Sequence, residues 1–307
     1  GLRVSAISLG SWLTYGNSVE KERAFATIDK AYELGVNFFD TANVYAQGEA
    51  EKIVGEALRR YPRESYVVAT KVFWPMGSGP NDKGLSRKHV FEQAHASLRR
   101  LGLDYVDIYY CHRFDPETPV DETLRTIDDL VRQGKVLYVG VSEWTAAQIQ
   151  EALGVADRYL LDRIVVNQPV YNMFNRYIEK EVIPVCEQNG IGQVVFSPLA
   201  QGILTGKYKK GAGVPEGSRA ADPKANASIQ KLLRDDVLDK VERLQAVAAD
   251  LGITVAQLAL AWTLRQPNVA SALIGATRPE QVVENVKAAD VTLSADTIER
   301  IERILSE

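Results

Sequence analysis

The chain of 307 residues has only two cysteines, Cys111 and Cys186, too few for a disulfide framework and without metal-ligand spacing. It has three histidines, and no H-x-H follows its first apolar run, so the metal centre of a barrel hydrolase is not written in it. Basic residues number 36 against 40 acidic ones, a net charge of -4, which leaves no electrostatic footprint for nucleic acid. There is no apolar run of about eighteen residues, which argues against membrane insertion, and the opening GLRVSAISLG lacks the regions of a secretory signal. A reducing cytoplasm is the expected compartment. An early G-x-G-x-x-G, the phosphate turn of a doubly wound dinucleotide domain, is also missing: SLGSW offers Gly10 alone, and GSGPNDKG at 77–84 opens no helix until Ser86. What is left, 46% hydrophobic and 25% charged residues, excludes collagen, a coiled coil and wholesale disorder.

Short β-branched, apolar runs alternate with stretches of helical period along nearly the whole chain. Strands are expected at 4–9, 36–39, 66–71, 105–111, 136–142, 163–168, 191–197 and 269–275. Their lack of period-2 alternation suits parallel strands buried on both faces. Helices are expected between them at about 20–34, 48–60, 87–101, 120–133, 145–157, 178–189, 254–266 and 279–289, with a terminal helix over 292–307 capped by Ser294. Ser86, Thr145 and Thr254 stand where N-caps belong, and Gly35, Gly102, Gly134, Gly190 and Gly252 where helices should stop. Eight such units predict an α/β fold, a (β/α)8 TIM barrel in one domain over 1–307. Two Gly- and Pro-rich stretches, 72–85 and 199–231, break the alternation; each follows a strand, which puts long loops on the C-terminal face where barrel active sites lie.

The strand runs end in Asp40, Lys71, His112, Ser142, Gln168, Ser197 and Gly275, so an acid, a lysine and a histidine from three neighbouring strands meet on one rim. His89 and His95 read as helix-surface residues, and Cys111 and Cys186 as packed ones. Asp40 closes one strand and Tyr45 lies five residues on, in reach of the same rim. A phenol titrates near 10 in water and is a poor acid at neutral pH, but a nearby ammonium lowers that value and an ionised aspartate keeps the ammonium charged. Tyr45, Lys71 and Asp40 are therefore the parts of a tuned proton donor, with His112 placed to hydrogen-bond a carbonyl. The set suits carbonyl reduction, in which an alkoxide develops and takes a proton. A glycosidase pair of Asp40 and Glu143 is disfavoured by the lysine beside Asp40.

At these residues the chain resembles an aldo-keto reductase. FFDTANVY, VVATK and DIYYCH resemble the pieces that carry that family's tetrad, here Asp40, Tyr45, Lys71 and His112. GVSEW, VVNQPVYN, SPLAQGILTGKY and IGATRPEQVVEN follow in family order, seven pieces across the chain. GLSRKH, SWLTYG and SPLAQGILTGKY are most similar to the subgroup of potassium-channel β-subunits and their bacterial relatives.

The resemblance implies NADPH/NADP+ bound extended across the rim without a Rossmann fold. It implies that Ser142 and Gln168 hold the nicotinamide carboxamide and that Phe196 stacks on the ring. Ser197, Leu199, Gln201, Gly202 and Lys207 would line the pyrophosphate, and Gly275, Thr277, Arg278, Gln281, Glu284 and Asn285 would surround the adenosine. Gly10, Ser11 and Trp12 would close the start of the site, while Trp12, Tyr15, Trp74, Arg113 and Phe114 would surround a small carbonyl substrate, the guanidinium favouring a carboxylate or phosphate near the carbonyl. Three positions depart from the family pattern: Glu143 stands at a usual asparagine, Phe196 at a usual tyrosine or tryptophan, and His112 where mammalian channel β-subunits carry asparagine, which favours an enzyme. The family's amino-terminal hairpin is mostly missing before GLRVS, which implies a truncated or incompletely ordered start. The activity expected is NADP-dependent reduction of aldehydes or ketones, with self-association left open. The alternative is an NADPH-binding regulatory subunit with slow turnover that docks on a partner such as a membrane channel.

Overall fold

A computed structural model describes residues 1–17, 19–223 and 225–307, and the eight apolar runs form a closed parallel barrel in chain order. Its strands are β1 (Ile7–Gly10), β2 (Phe38–Asp40), β3 (Val67–Val72), β4 (Val106–Cys111), β5 (Val136–Ser142), β6 (Ile164–Gln168), β7 (Gly192–Phe196) and β8 (Val269–Gly275). The ring closes through β1 and β8, with Ile7 opposite Ala272 and Gly10 opposite Gly275. Helices surround it: α1 (Lys21–Glu33), α2 (Glu49–Leu58), α3 (Arg87–Leu101), α4 (Val120–Arg132), α5 (Ala146–Tyr159), α6 (Val182–Gln188), α7 (Asp235–Asp250), α8 (Val255–Leu264), α9 (Pro279–Val286) and α10 (Ala295–Ser306).

The caps lie where the sequence puts them. Ser86 accepts from the His89 amide at 3.2 Å, and Thr145 and Thr254 close reciprocal capping boxes with Gln148 and Gln257. Gly102 ends α3 in the left-handed conformation that a glycine adopts without strain. Two expectations need correction. The sixteen-residue helix α7 was not expected; it fills the stretch between the long 199–231 loop, whose Lys224 lies outside the described residues, and α8. His89 is buried in α3 rather than on its surface.

Apolar layers on both sides of the sheet explain its continuous hydrophobic strands. Phe38, Val67, Ala69, Ile108, Tyr110, Val166, Val194 and Leu273 fill the barrel interior, and a larger cluster lies between sheet and helices. Gly140 has a packing reason: a Cβ there would come within 2.5 Å of the Tyr110 ring, so its absence lets that ring fill the interior beneath the rim. Tyr110 pairs in register with Lys71 on β3. No single described helix is long and apolar enough to cross a membrane.

Candidate active site

Three side chains of the rim cluster leave the ends of three different strands, and the fourth lies on the loop after the first. Asp40 is the last residue of β2, Lys71 stands one residue before the end of β3, and His112 follows β4 directly. Tyr45 opens a short 3-10 turn in which Ala46 and Gln47 both take left-handed backbone (φ 48° and 52°). The other described non-glycine residues with positive φ are Leu13, Glu143, Leu160, Ser197, Ala200 and Gln201; all but Leu160 lie on loops that follow strands. Strain of this kind gathers where a structure holds groups for chemistry.

The lysine is the hub. Its ammonium is fully buried, donates to the Asp40 carboxylate and to the Thr41 carbonyl (2.9 Å), and lies 3.2 Å from the Tyr45 hydroxyl. Gln168 donates to the other Asp40 oxygen at 2.9 Å, tying β6 to β2 across the barrel mouth. Burial works against the Lys71 ammonium, yet Asp40 and Tyr45 outweigh it and hold the lysine above its ordinary value. Burial lifts the Asp40 carboxyl, against the pull of Lys71 and Gln168. The Tyr45 phenol differs from expectation: burial raises it, and Lys71 offsets that rise without reversing it. The phenol is therefore protonated throughout the neutral range. His112 faces Tyr45 edge-on at 5.8 Å between ring centroids, and burial, with the charges of Lys71 and Arg113, keeps its imidazole neutral. Its Nδ1 is buried without a partner among the described residues.

Around this floor stand several of the residues expected at the site. Trp74 meets His112 edge-on at 6.3 Å, and the Arg113 guanidinium lies 5.6 Å from the Trp74 ring. Ser142 donates to the Gln168 carbonyl at 2.7 Å, so the two residues expected at a carboxamide are already coupled. Ser11 bonds the Asp40 carbonyl and Thr41, linking the β1 exit, where Gly10 ends the strand, to the floor. Glu143 accepts from the Val170 amide (2.5 Å) and the Tyr177 hydroxyl (3.1 Å). Trp12 meets Phe196 edge-on at 6.4 Å; beyond them Gln201 donates to Ser197. Lys207 leans over Tyr208 beside Gly202, and Leu199 packs against the core.

Farther along the rim, beyond Gly275, the Thr277 amide and hydroxyl donate to Gln281, Gln257 donates to Glu284, and Asn285 is buried. Arg278, at the N-terminus of α9, is 65% exposed and only loosely paired with Glu280 at 3.8 Å. Two further residues expected around the substrate pack into the protein. Tyr15 is 1% exposed, its ring in the core, and Phe114 packs edge-on against Trp144. Conversely, sequence reading passed over Arg219. Its guanidinium donates to Gln201 and covers Trp12 at 6.0 Å, and among the described residues it has no carboxylate partner. A lone arginine inside the second rim loop was the available signal.

The donor set suits a dinucleotide phosphate. Lys207 and Arg219 are cations without carboxylate partners among the described residues, and burial holds the Arg219 guanidinium below its ordinary value, a setting that an anion would relieve. The Aldo/keto reductase family matches the chain over residues 6–306. A probable voltage-gated potassium channel subunit beta of Arabidopsis thaliana is 48% identical over 310 residues, covering 99% of this chain and 94% of that protein. Its counterpart in Oryza sativa subsp. japonica is 47% identical with the same coverage. A putative voltage-gated potassium channel subunit beta of Schizosaccharomyces pombe is 43% identical over 315 residues, covering 100% of this chain and 91% of that protein.

Proposed function

The chain belongs to the aldo/keto reductase family, and from that premise we propose that it is an NADP-dependent oxidoreductase reducing aldehydes or ketones to alcohols in a reducing, cytoplasmic compartment. The observation that carries the reading is the line from the buried Asp40 and Lys71 to the half-buried Tyr45, with a neutral His112 opposite. When bound, the reduced nicotinamide supplies a hydride to the carbonyl carbon. Tyr45 gives its proton to the carbonyl oxygen, and the neutral imidazole of His112 donates a hydrogen bond to the same oxygen. Lys71, kept charged by Asp40, stabilises the phenolate that remains. Ser142 and Gln168 would hold the carboxamide and Phe196 the ring face. Lys207 and Arg219 would meet the pyrophosphate, and Arg278 the 2′-phosphate.

Tyr45→Phe tests this directly. The hydroxyl acts only in the reaction step, so reduction of small aldehydes should fall by about a thousandfold or more while NADPH affinity stays within a few-fold. Steady-state rates comparable to wild type would remove Tyr45 from the role.

A second reading follows from the relatives, three of which carry the name of a potassium channel β-subunit. On that reading the barrel is an NADPH-binding regulatory subunit with slow turnover. An NADPH oxidation rate with aldehydes no faster than the cofactor's own decay would favour it over the reductase.

A further inference from the structure

Two cations act electrostatically on Tyr45, and they differ in how their charge is met. Lys71 is buried and paired with Asp40. Arg113, one residue beyond His112, is half-buried and has no carboxylate partner among the described residues. Its hydrogen bonds go to two neutral acceptors, the His112 carbonyl at 2.5 Å and the Ser142 hydroxyl at 3.4 Å, both through Nη1. The Trp74 ring supports it at 5.6 Å. Three contacts therefore fix the guanidinium, while Nε and Nη2 have no protein acceptor among the described residues. The acid at the β5 exit does not reach for it: Glu143 is engaged by Val170 and Tyr177.

A guanidinium held in place with one edge unused is preorganised for an anion, and the planar fork suits the two oxygens of a carboxylate or phosphate. Its position limits where that anion lies. Arg113 is bonded to the backbone of His112 and acts electrostatically on both the His112 ring and the Tyr45 phenol. A ligand that puts its carbonyl between those two groups puts the next few atoms of its chain beside Trp74 and Arg113. The cations proposed above for the cofactor's phosphates, Lys207, Arg219 and Arg278, belong to other loops, so those phosphates do not consume this one.

We infer that Arg113 determines substrate specificity, and that the substrate class is short aldehydes or ketones carrying their own carboxylate or phosphate a few bonds from the carbonyl. The inference rests on the reductase reading and deepens it. The reaction balance is unchanged: the carbonyl carbon takes the hydride, its oxygen takes the Tyr45 proton, and the anionic group is bound throughout without reacting.

Two matched pairs of aldehydes test it with NADPH as reductant: butanal against succinic semialdehyde, and glyceraldehyde against its 3-phosphate. Wild-type protein should favour the charged member of at least one pair by about ten- to hundredfold in kcat/KM, the span for hydrogen bonds to a charged group. The pair that shows the preference distinguishes carboxylate from phosphate. In Arg113→Met the ratio should fall to near one, chiefly through KM of the charged substrate, whatever happens to the neutral one. Arg113→Lys should keep part of the preference, because it keeps the charge and loses the fork. Parity in the wild type, or a preference that survives Arg113→Met, overturns the inference and leaves the reductase reading standing. Failure to turn over any of the four aldehydes retires that reading and the inference with it.

Discussion

At the scale of single residues, the chemistry depends on a lysine taken wholly out of water. Removing one partner of a buried ion pair leaves the other charge uncompensated, and the usual cost is about 3–5 kcal/mol. Lys71→Met should therefore lower stability, and thermal unfolding measured beside the kinetics separates that loss from the catalytic one. The catalytic loss has a signature of its own. Burial already raises the Tyr45 phenol, and Lys71 is the largest influence pulling it down. Without the ammonium the phenol moves higher still. Reduction needs the protonated phenol and fades as pH rises through its pKa, so residual reduction should persist to more alkaline pH than in the wild type, at a far lower rate. An unchanged alkaline limb in an active variant would mean that the lysine does not tune the tyrosine. Asp40 and Lys71 were legible in the sequence because each ends an apolar run, and Tyr45 because it lies within reach of the first. The net direction of the Tyr45 shift was not, because burial of the phenol depends on side chains from other strands, such as His112 and Lys71, none adjacent in sequence.

At the scale of elements, the strands were legible because parallel strands buried on both faces are continuous apolar runs, and their ends carry the polar groups. The α7 helix had a readable pattern too: Val237, Val241, Leu244 and Ala248 recur at helical spacing and are all buried. It was missed because a βα alternation leaves room for one helix per strand, and because its N-cap, Arg234, makes no capping bond. Asp235 and Asp236 in the first turn meet the helix dipole instead. Helix α9 has the element-scale consequence for function. Its N-terminus follows β8 directly, Gln281 holds the Thr277 amide, and Arg278 is left exposed with a distant acid as its partner. That arrangement frees the guanidinium to turn toward a phosphate at the helix start. Arg278→Ala should weaken NADPH by about 1–3 kcal/mol and leave NADH nearly unchanged, with a penalty that shrinks as salt rises. Fluorescence titration of both cofactors measures it, and equal losses would show that Arg278 does not distinguish them.

At the scale of the whole molecule, the barrel keeps two histidines where they cannot easily take a proton. Burial lowers His112, assisted by Lys71 and Arg113, and burial lowers His89 against the opposing pull of Asp82 and Glu92. In the unfolded chain both titrate near 6.5. Below that pH the unfolded chain binds protons that the native protein refuses, so the stability they contribute is complete above about 6.5 and is lost as pH falls toward their depressed native values. The slope can reach about 1.4 kcal/mol per pH unit for each histidine. Asp40 acts in the opposite sense, because its raised native pKa lets the folded protein take a proton first. The comparison is therefore made between proteins rather than along one curve. Urea midpoints at pH 7.5, 6.5 and 5.5 should change little over the first interval and fall over the second for the wild type, and fall less for His89→Gln and for His112→Gln. The double variant should lose the least of all across that interval. If the double variant and the wild type lose stability in parallel, the neutral histidines are not what makes the fold acid-sensitive, and the carboxylates of the rim and surface must carry it.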